Sequence, residues 1–99
     1  MPRLYTYQGF LFSIYSNDHV NPHHVHVTKA GTKVKVEFRK RSGLEEIKMV
    51  EIAGRFSETD RNDIMKFASK YRRRIIGKIN DYLIRSIKPL NETINQKTK

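Results

Sequence analysis

The feature that most constrains the fold is a strict alternation of side chains on both sides of a glycine turn. In residues 24–28, two valines alternate with two histidines and a threonine, and in residues 33–38 three apolar side chains alternate with three charged ones. Gly31, between the two segments, tolerates the positive φ that a tight turn requires. Because successive side chains of a strand point to opposite faces of a sheet, this pattern predicts an antiparallel hairpin with one apolar and one polar face.

The rest of the chain predicts an α+β fold. Strand patterns occupy residues 4–7 and 10–14 before the hairpin and residues 45–52 after it, where a switch of the apolar face suggests a bulge. Ser57 is a suitable N-cap for an amphipathic helix whose apolar residues recur every three or four positions, and Gly77 is expected to mark a bend in it. We therefore expect a small antiparallel sheet of four to five strands packed against one long C-terminal helix.

Length and composition indicate one domain. The chain has 99 residues, 37% of them hydrophobic and 30% charged, which suits one modest core. Residues 1–90 are expected to form a single α+β domain and residues 91–99 a flexible polar tail. Cysteine is absent, which excludes disulfides and thiolate metal sites. The sequence contains neither a secretory signal nor an apolar run of membrane-spanning length, so a cytoplasmic protein is expected.

All four histidines lie within residues 19–26. Histidine is the side chain best suited to proton transfer and metal ligation near neutral pH. His24 and His26 are two apart on a predicted strand, so both should project from the same sheet face, about 6–7 Å apart. His19 lies on the preceding loop beside Asp18 and joins them if the loop folds back. His23 points to the opposite side and is the weakest candidate.

Three roles stay open for these histidines. As acid–base groups, His24, His26 and His19 would suit cleavage of the RNA backbone, which needs a base for the 2′-hydroxyl, an acid for the leaving oxygen and nearby cations. As ligands, the same three residues would hold a metal such as zinc; no other cofactor is expected. The third reading is that they are solvated or packing residues without chemistry. The sequence therefore leaves open whether this is an enzyme of the ribonuclease type.

The chain carries a formal net charge of +10, from 20 Lys and Arg against 10 Asp and Glu. A charge excess of this size favours polyanionic partners: nucleic acid first, then an acidic protein, with no membrane expected. The cations concentrate in a loop and along one side of the predicted helix, where no interleaved glutamate forms i,i+4 pairs. A charged helix face that merely keeps the domain soluble is the alternative. The candidate contact residues are Arg39, Lys40, Arg41, Lys66, Lys70, Arg73, Arg74 and Lys78.

Two segments carry a family resemblance. Residues 9–15 read Gly-Phe-Leu-Phe-Ser-Ile-Tyr, and Asp18-His19 and Pro22 precede His-Val-His-Val at residues 24–27. In these segments the chain resembles a widespread bacterial family of small proteins known as domain of unknown function 4160. Members resemble components of toxin–antitoxin or similar two-gene modules, which implies an acidic, antitoxin-like partner protein. The resemblance also implies that the motif histidines are His19, His24 and His26.

These observations together predict a small, basic, nucleic-acid-associated protein. The expected role is the toxin-like component of a two-protein module that acts on RNA through the face bearing His24 and His26. One alternative is a non-enzymatic binding module whose basic helix face docks an acidic partner protein or nucleic acid. The other is a metal-binding protein that uses the histidines. The oligomeric state is not predicted.

Overall fold

The structure, a computed structural model, describes residues 2–14 and 23–98. Strands occupy most of the first half of the chain and helices most of the second half. The elements are β1 (Arg3–Tyr7), β2 (Phe10–Ser13), β3 (His23–Lys29), β4 (Thr32–Arg41), β5 (Leu44–Ala53), α1 (Glu58–Lys70), α2 (Arg72–Arg85) and β6 (Glu92–Ile94).

The strands form one six-stranded sheet in the order β5-β4-β3-β2-β1-β6. Each strand from β1 to β5 pairs antiparallel with its neighbour in sequence. In the β3–β4 hairpin Val25 lies opposite Val36 and Val27 opposite Val34, so the valines share one face as predicted. The α+β class is therefore confirmed. The expected four to five antiparallel strands become six in a mixed sheet, because β6 pairs parallel with β1.

The sixth strand comes from the segment 91–99, which was expected to be a flexible polar tail. The Gln8 side-chain amide donates to the Asn95 carbonyl at 2.7 Å, and the Thr98 N–H donates to the Tyr7 hydroxyl at 2.9 Å. The prediction of a free tail is therefore wrong. A three-residue strand needs no hydrophobic alternation, because it is held by backbone pairing with the outer edge of β1.

The single long helix that was expected is divided in two at Tyr71, whose φ of −101° and ψ of 12° leave the helical region. Its N-terminal cap is as predicted, because the Ser57 hydroxyl accepts a hydrogen bond from a backbone N–H in the first turn of α1. The Tyr71 ring stacks on Phe67 with centroids 4.4 Å apart and contacts Tyr5 edge-on at 5.6 Å. Gly77 lies inside α2, so the bend occurs at the aromatic anchor and not at the glycine.

Both helices pack on one face of the sheet, called here the helix face. Phe67 of α1 lies near the centre of this layer, with its ring centroid 4.3 Å from that of Tyr7 and 4.8 Å from that of Phe12. Neither helix in the described ranges is long and apolar enough to cross a membrane. The fully buried side chains of the core include Tyr5, Tyr7, Phe10, Phe12, Val25, Val27, Val34, Val36, Ile64, Phe67, Ile75 and Ile79.

Candidate functional site

His24 and His26 lie on the other side of the sheet, called here the far face. Because Val25 and Val27 enter the core beneath the helices, the alternation of β3 directs the two histidines away from them. Their ring centroids are 5.5 Å apart and the rings meet edge-on at 73°. The structure therefore brings together the two histidines that the spacing placed side by side.

The two rings are not, however, freely accessible. Each histidine is 8% exposed, although both were expected to face outward. Their strand is interior to the sheet, with β2 on one side and β4 on the other. A side chain with so little exposed surface offers a polymeric substrate almost no contact. The two histidines share one sheet face, as predicted, but the prediction that they are accessible to a ligand is wrong.

A charged group lies on the next strand of the far face. Glu37 is opposite His24, and its carboxylate is 2.7 Å from the Arg39 guanidinium and 3.5 Å from the Lys35 ammonium. Burial by itself raises the pKa of Glu37, but the hydrogen bond and charge of Arg39, with the charge of Lys35, outweigh burial and hold that pKa below its ordinary value. Glu37 is therefore an anion near neutral pH, and much of the Arg39 charge is neutralised within the protein.

His23 faces the opposite way, as the alternation predicted. Its Nε2 lies 2.8 Å from the Asn80 side-chain oxygen on α2, which joins the start of β3 to the helix layer. His19 lies outside the described residues, so the three-histidine arrangement stays a prediction. Within residues 2–14 and 23–98, no group of three His, Cys, Asp or Glu side chains is placed to hold a metal ion.

A basic groove forms where β3 begins and the β4–β5 hairpin turns. It encloses about 920 Å³, and we call it the cationic groove. Lys40, Arg41 and Lys48 are exposed around it, and none of the three has a carboxylate within salt-bridge distance among the described residues. The groove is lined by His23, Phe38, Arg39, Lys40, Arg41, Glu46 and Lys48.

Arg72 holds the groove against the helix layer. Its guanidinium donates to the carbonyls of Arg39 at 2.9 Å and Glu46 at 3.1 Å, pairs with Glu45 at 3.3 Å, and lies 5.4 Å from the centre of the Phe38 ring. The side chain is only 11% exposed. Arg72 therefore fixes the start of α2 to the β4–β5 hairpin.

The helical cations separate into two groups. Lys66, Lys70, Arg73 and Arg74 are exposed, as a binding face requires. Lys70 and Arg74 lie near the ring of Tyr71, at 5.9 and 5.7 Å from its centroid. These four residues remain candidates for contact with a polyanion.

Lys78 does not belong with them. Its ammonium donates to the carbonyls of Leu4 and Leu90, each at 2.9 Å, pairs with Glu92 at 2.8 Å, and lies 4.0 Å from the centre of the Tyr5 ring. With its side chain 16% exposed, Lys78 joins β1, α2 and the segment before β6. Its inclusion among the contact residues is corrected, because equal spacing along a helix does not show which lysine folds back onto the sheet.

The sequence reasoning missed Lys48 and set His23 aside. The two-residue turn at Ser42 and Gly43 could have identified Lys48. Counting outward from that turn gives the register of the β4–β5 hairpin, which places Lys48 opposite Glu37 on the strand that carries Arg39 and Arg41. No comparable signal identifies His23, since its position at the groove depends on how α2 packs against β3.

A family model described as a domain of unknown function (DUF4160) matches residues 9–78, a span that includes the paired histidines and the cationic groove. No curated protein and no solved structure matches the chain.

Proposed function

The chain belongs to the DUF4160 family, and we propose that it is a cytoplasmic nucleic-acid-binding protein that holds RNA in the cationic groove. The observation that carries this proposal is the set of cations around the groove. Lys40 and Arg41 are exposed at the same hairpin end, and neither has a carboxylate partner in the described part of the chain. Unpaired cations around one concave surface are suited to the closely spaced charges of a phosphate backbone.

The electrostatics of the whole chain support the same ligand. A net charge of +10 on 99 residues draws polyanions towards the surface before any specific contact forms. Arg73 is exposed and follows Arg72, whose side chain joins the start of α2 to the groove. Arginine adds bidentate phosphate contacts, and lysine acts as a point charge. The ligand path therefore runs from the hairpin end towards α1 and α2.

Binding fits the geometry better than cleavage. Cleavage through His24 and His26 requires both imidazoles to reach one phosphate and its neighbouring oxygens. The 5.5 Å separation of the rings suits that role, but an exposure of 8% for each does not. In this proposal the two histidines support the sheet and the groove recognises the RNA.

The proposal extends to a two-protein module of the toxin–antitoxin type. The protein is then the toxin-like component, and an acidic partner neutralises it by covering the same groove cations. The family resemblance and the charge of the chain support this role. Growth arrest on expression that is lost in the variant K40A/R41A, but kept in H24A/H26A, is the expected cellular result.

The direct test measures binding of a labelled single-stranded RNA by fluorescence anisotropy between about 50 and 200 mM salt. The variant K40A/R41A removes two groove cations that have no carboxylate partner within residues 2–14 and 23–98. We expect affinity to fall about tenfold, equivalent to about 1.4 kcal/mol. The slope of log affinity against log salt should become shallower by about 1.4, because each phosphate contact to a single strand contributes about 0.7.

The matched control is R85A/K88A, which removes the same charge from two exposed positions: Arg85, the last residue of α2, where it pairs with Asp81 on the surface, and Lys88, three residues beyond the helix. Arg85 is separated from Arg72 by about 20 Å along the helix, at about 1.5 Å per residue. Equal losses in the two double variants would mean that only net charge matters and would overturn the groove as the site. Binding of an acidic protein but not of RNA by the wild-type chain would replace nucleic acid with a protein partner.

A further inference from the structure

The long outer strand β5 is an unused pairing surface. It spans Leu44–Ala53 and stands at one end of the sheet order, so among the described residues only β4 pairs with it. We propose that β5 pairs antiparallel with β5 of a second copy of this chain, about a two-fold axis at Ile47. Exposed edge strands carry unpaired backbone donors and acceptors that a second strand can satisfy. This inference does not depend on RNA binding.

Charge complementarity identifies the occupant. In an antiparallel pair centred on Ile47, residues equally distant from Ile47 lie opposite one another, so Glu46 faces Lys48 of the second copy and Leu44 faces Val50. The two-fold axis repeats each pair, as a self-complementary interface requires. Leu44 is 71% exposed in the single chain, and this pairing gives it an apolar neighbour. Opposite charges and apolar pairs across strands are both stabilising.

The same pairing continues a pattern already present in the far face. Within one chain Arg39 lies opposite Glu46, and Glu37 lies opposite Lys48. In the dimer, Glu46 of one copy lies between its own Arg39 and Lys48 of the second copy, and that Lys48 is followed by Glu37 of the second copy. Charges of alternating sign therefore extend across four strands. No charge in that row then lies beside another of the same sign.

Neighbouring registers are less favourable. An axis at Lys48 would place the two Lys48 side chains opposite each other and Glu45 opposite Glu51. An axis at Glu46 would place two glutamates together. An axis at Met49 would put Ile47 opposite Glu51 and Lys48 opposite Val50, so no charged side chain of β5 would face an opposite charge. The axis at Ile47 also sets one charged residue, Glu45, opposite an apolar one, Met49, but it pairs Glu46 with Lys48 twice. Opposite charges across strands are stabilising and like charges are destabilising, so the sequence of β5 favours the axis at Ile47.

The helix face of β5 has a recess beside the proposed axis. A recess of about 290 Å³ lies beside this strand, lined by Glu45, Ile47, Met65, Ser69 and Arg72. With the axis at Ile47, the two Ile47 side chains meet at this recess. Glu46 and Lys48 also line the cationic groove, so the grooves of the two copies adjoin across the axis.

The experiment is sedimentation velocity of the full chain from about 1 µM to about 1 mM, a range in which small interfaces associate. The wild-type chain should show a concentration-dependent dimer. Lys48→Glu and Glu46→Lys should each weaken self-association at least about tenfold, because each puts like charges opposite one another twice per dimer. An equimolar mixture of the two variants should form a heterodimer, and the double variant E46K/K48E should dimerise again.

Lys88→Glu is the matched control, since it makes the same charge change at an exposed residue after α2. It should dimerise like the wild-type chain, and circular dichroism should show that every variant is folded. A wild-type chain that stays monomeric across the whole range overturns the proposal. So does a dimer that K48E leaves intact, or a mixture of K48E and E46K that does not associate.

Discussion

The paired histidines lie on β3, and the cationic groove lies where the start of β3 meets the end of β4 and the beginning of β5. His24 and His26 belong to β3, a strand with β2 and β4 as its neighbours in the sheet order, and each is 8% exposed. Lys40 and Arg41 sit at the end of β4, next to the hairpin turn, and both are exposed. The residues with the most versatile chemistry are therefore the less accessible ones. Under the proposed function, accessibility, and not residue type alone, separates the supporting role of the histidines from the recognition role of the groove cations.

The largest expected effect comes from the variant H24A/H26A. Removing two buried rings should lower the free energy of unfolding by about 2–4 kcal/mol, because the space they fill closes only partly. RNA affinity should change less than twofold at a temperature where the variant is folded. Urea unfolding and the anisotropy titration measure the two quantities.

The groove variant K40A/R41A should behave in the opposite way: it should lose RNA affinity and keep its stability. Its free energy of unfolding should stay within about 0.5 kcal/mol of the wild-type value, since both side chains are exposed. If H24A/H26A abolished an RNA-cleaving activity of the wild-type chain without unfolding it, the division of roles between the two regions would be wrong.

A smaller effect is expected at Lys78, which the sequence grouped with the surface cations. Lys78→Met keeps most of the apolar stem but removes the ammonium that contacts two carbonyls and Glu92. We expect a loss of about 1.5–3 kcal/mol in the free energy of unfolding, because hydrogen bonds to a charged group are lost from a largely buried site. Thermal unfolding of Lys78→Met against the exposed control Lys88→Met measures it. If the two variants were equally stable, the Lys78 contacts would not stabilise the fold, and Lys78 would again be a candidate for ligand contact.

The smallest effect concerns Glu37 and how the free energy of unfolding changes between neutral and acid pH. The folded-state pKa of Glu37 is below its ordinary value, so the group contributes stability above the unfolded pKa and loses that contribution as the pH falls towards the folded value. Glu37→Gln should cost less than about 1 kcal/mol at neutral pH, since Arg39 is partly solvated. Between neutral pH and about pH 3 its stability should decline less than that of the wild-type chain. Urea unfolding across this range measures the difference, and parallel profiles would contradict the role assigned to the carboxylate.

Prediction from sequence succeeded where a short pattern was sufficient. The β3–β4 hairpin followed from alternation around Gly31, and the start of α1 followed from Ser57. It failed where distant segments meet. The break at Tyr71 depends on stacking with Phe67 and Tyr5, and β6 depends on the free edge of β1. Tyr5 and β1 are both far in sequence from the segments that they order, so no local pattern reports these contacts. Phe67 lies one helical turn before Tyr71, and that spacing by itself predicted a continuous helix.

The sequence by itself determined the α+β class, the face on which His24 and His26 lie, and the excess of positive charge, because each follows from local periodicity or from composition. Only the tertiary structure decided which of these residues solvent and ligands can reach. Strand order placed the two histidines in the interior of the sheet, and packing of α2 against β1 folded Lys78 inward. Exposure depends on neighbours that are remote along the chain, and no local pattern encodes those neighbours.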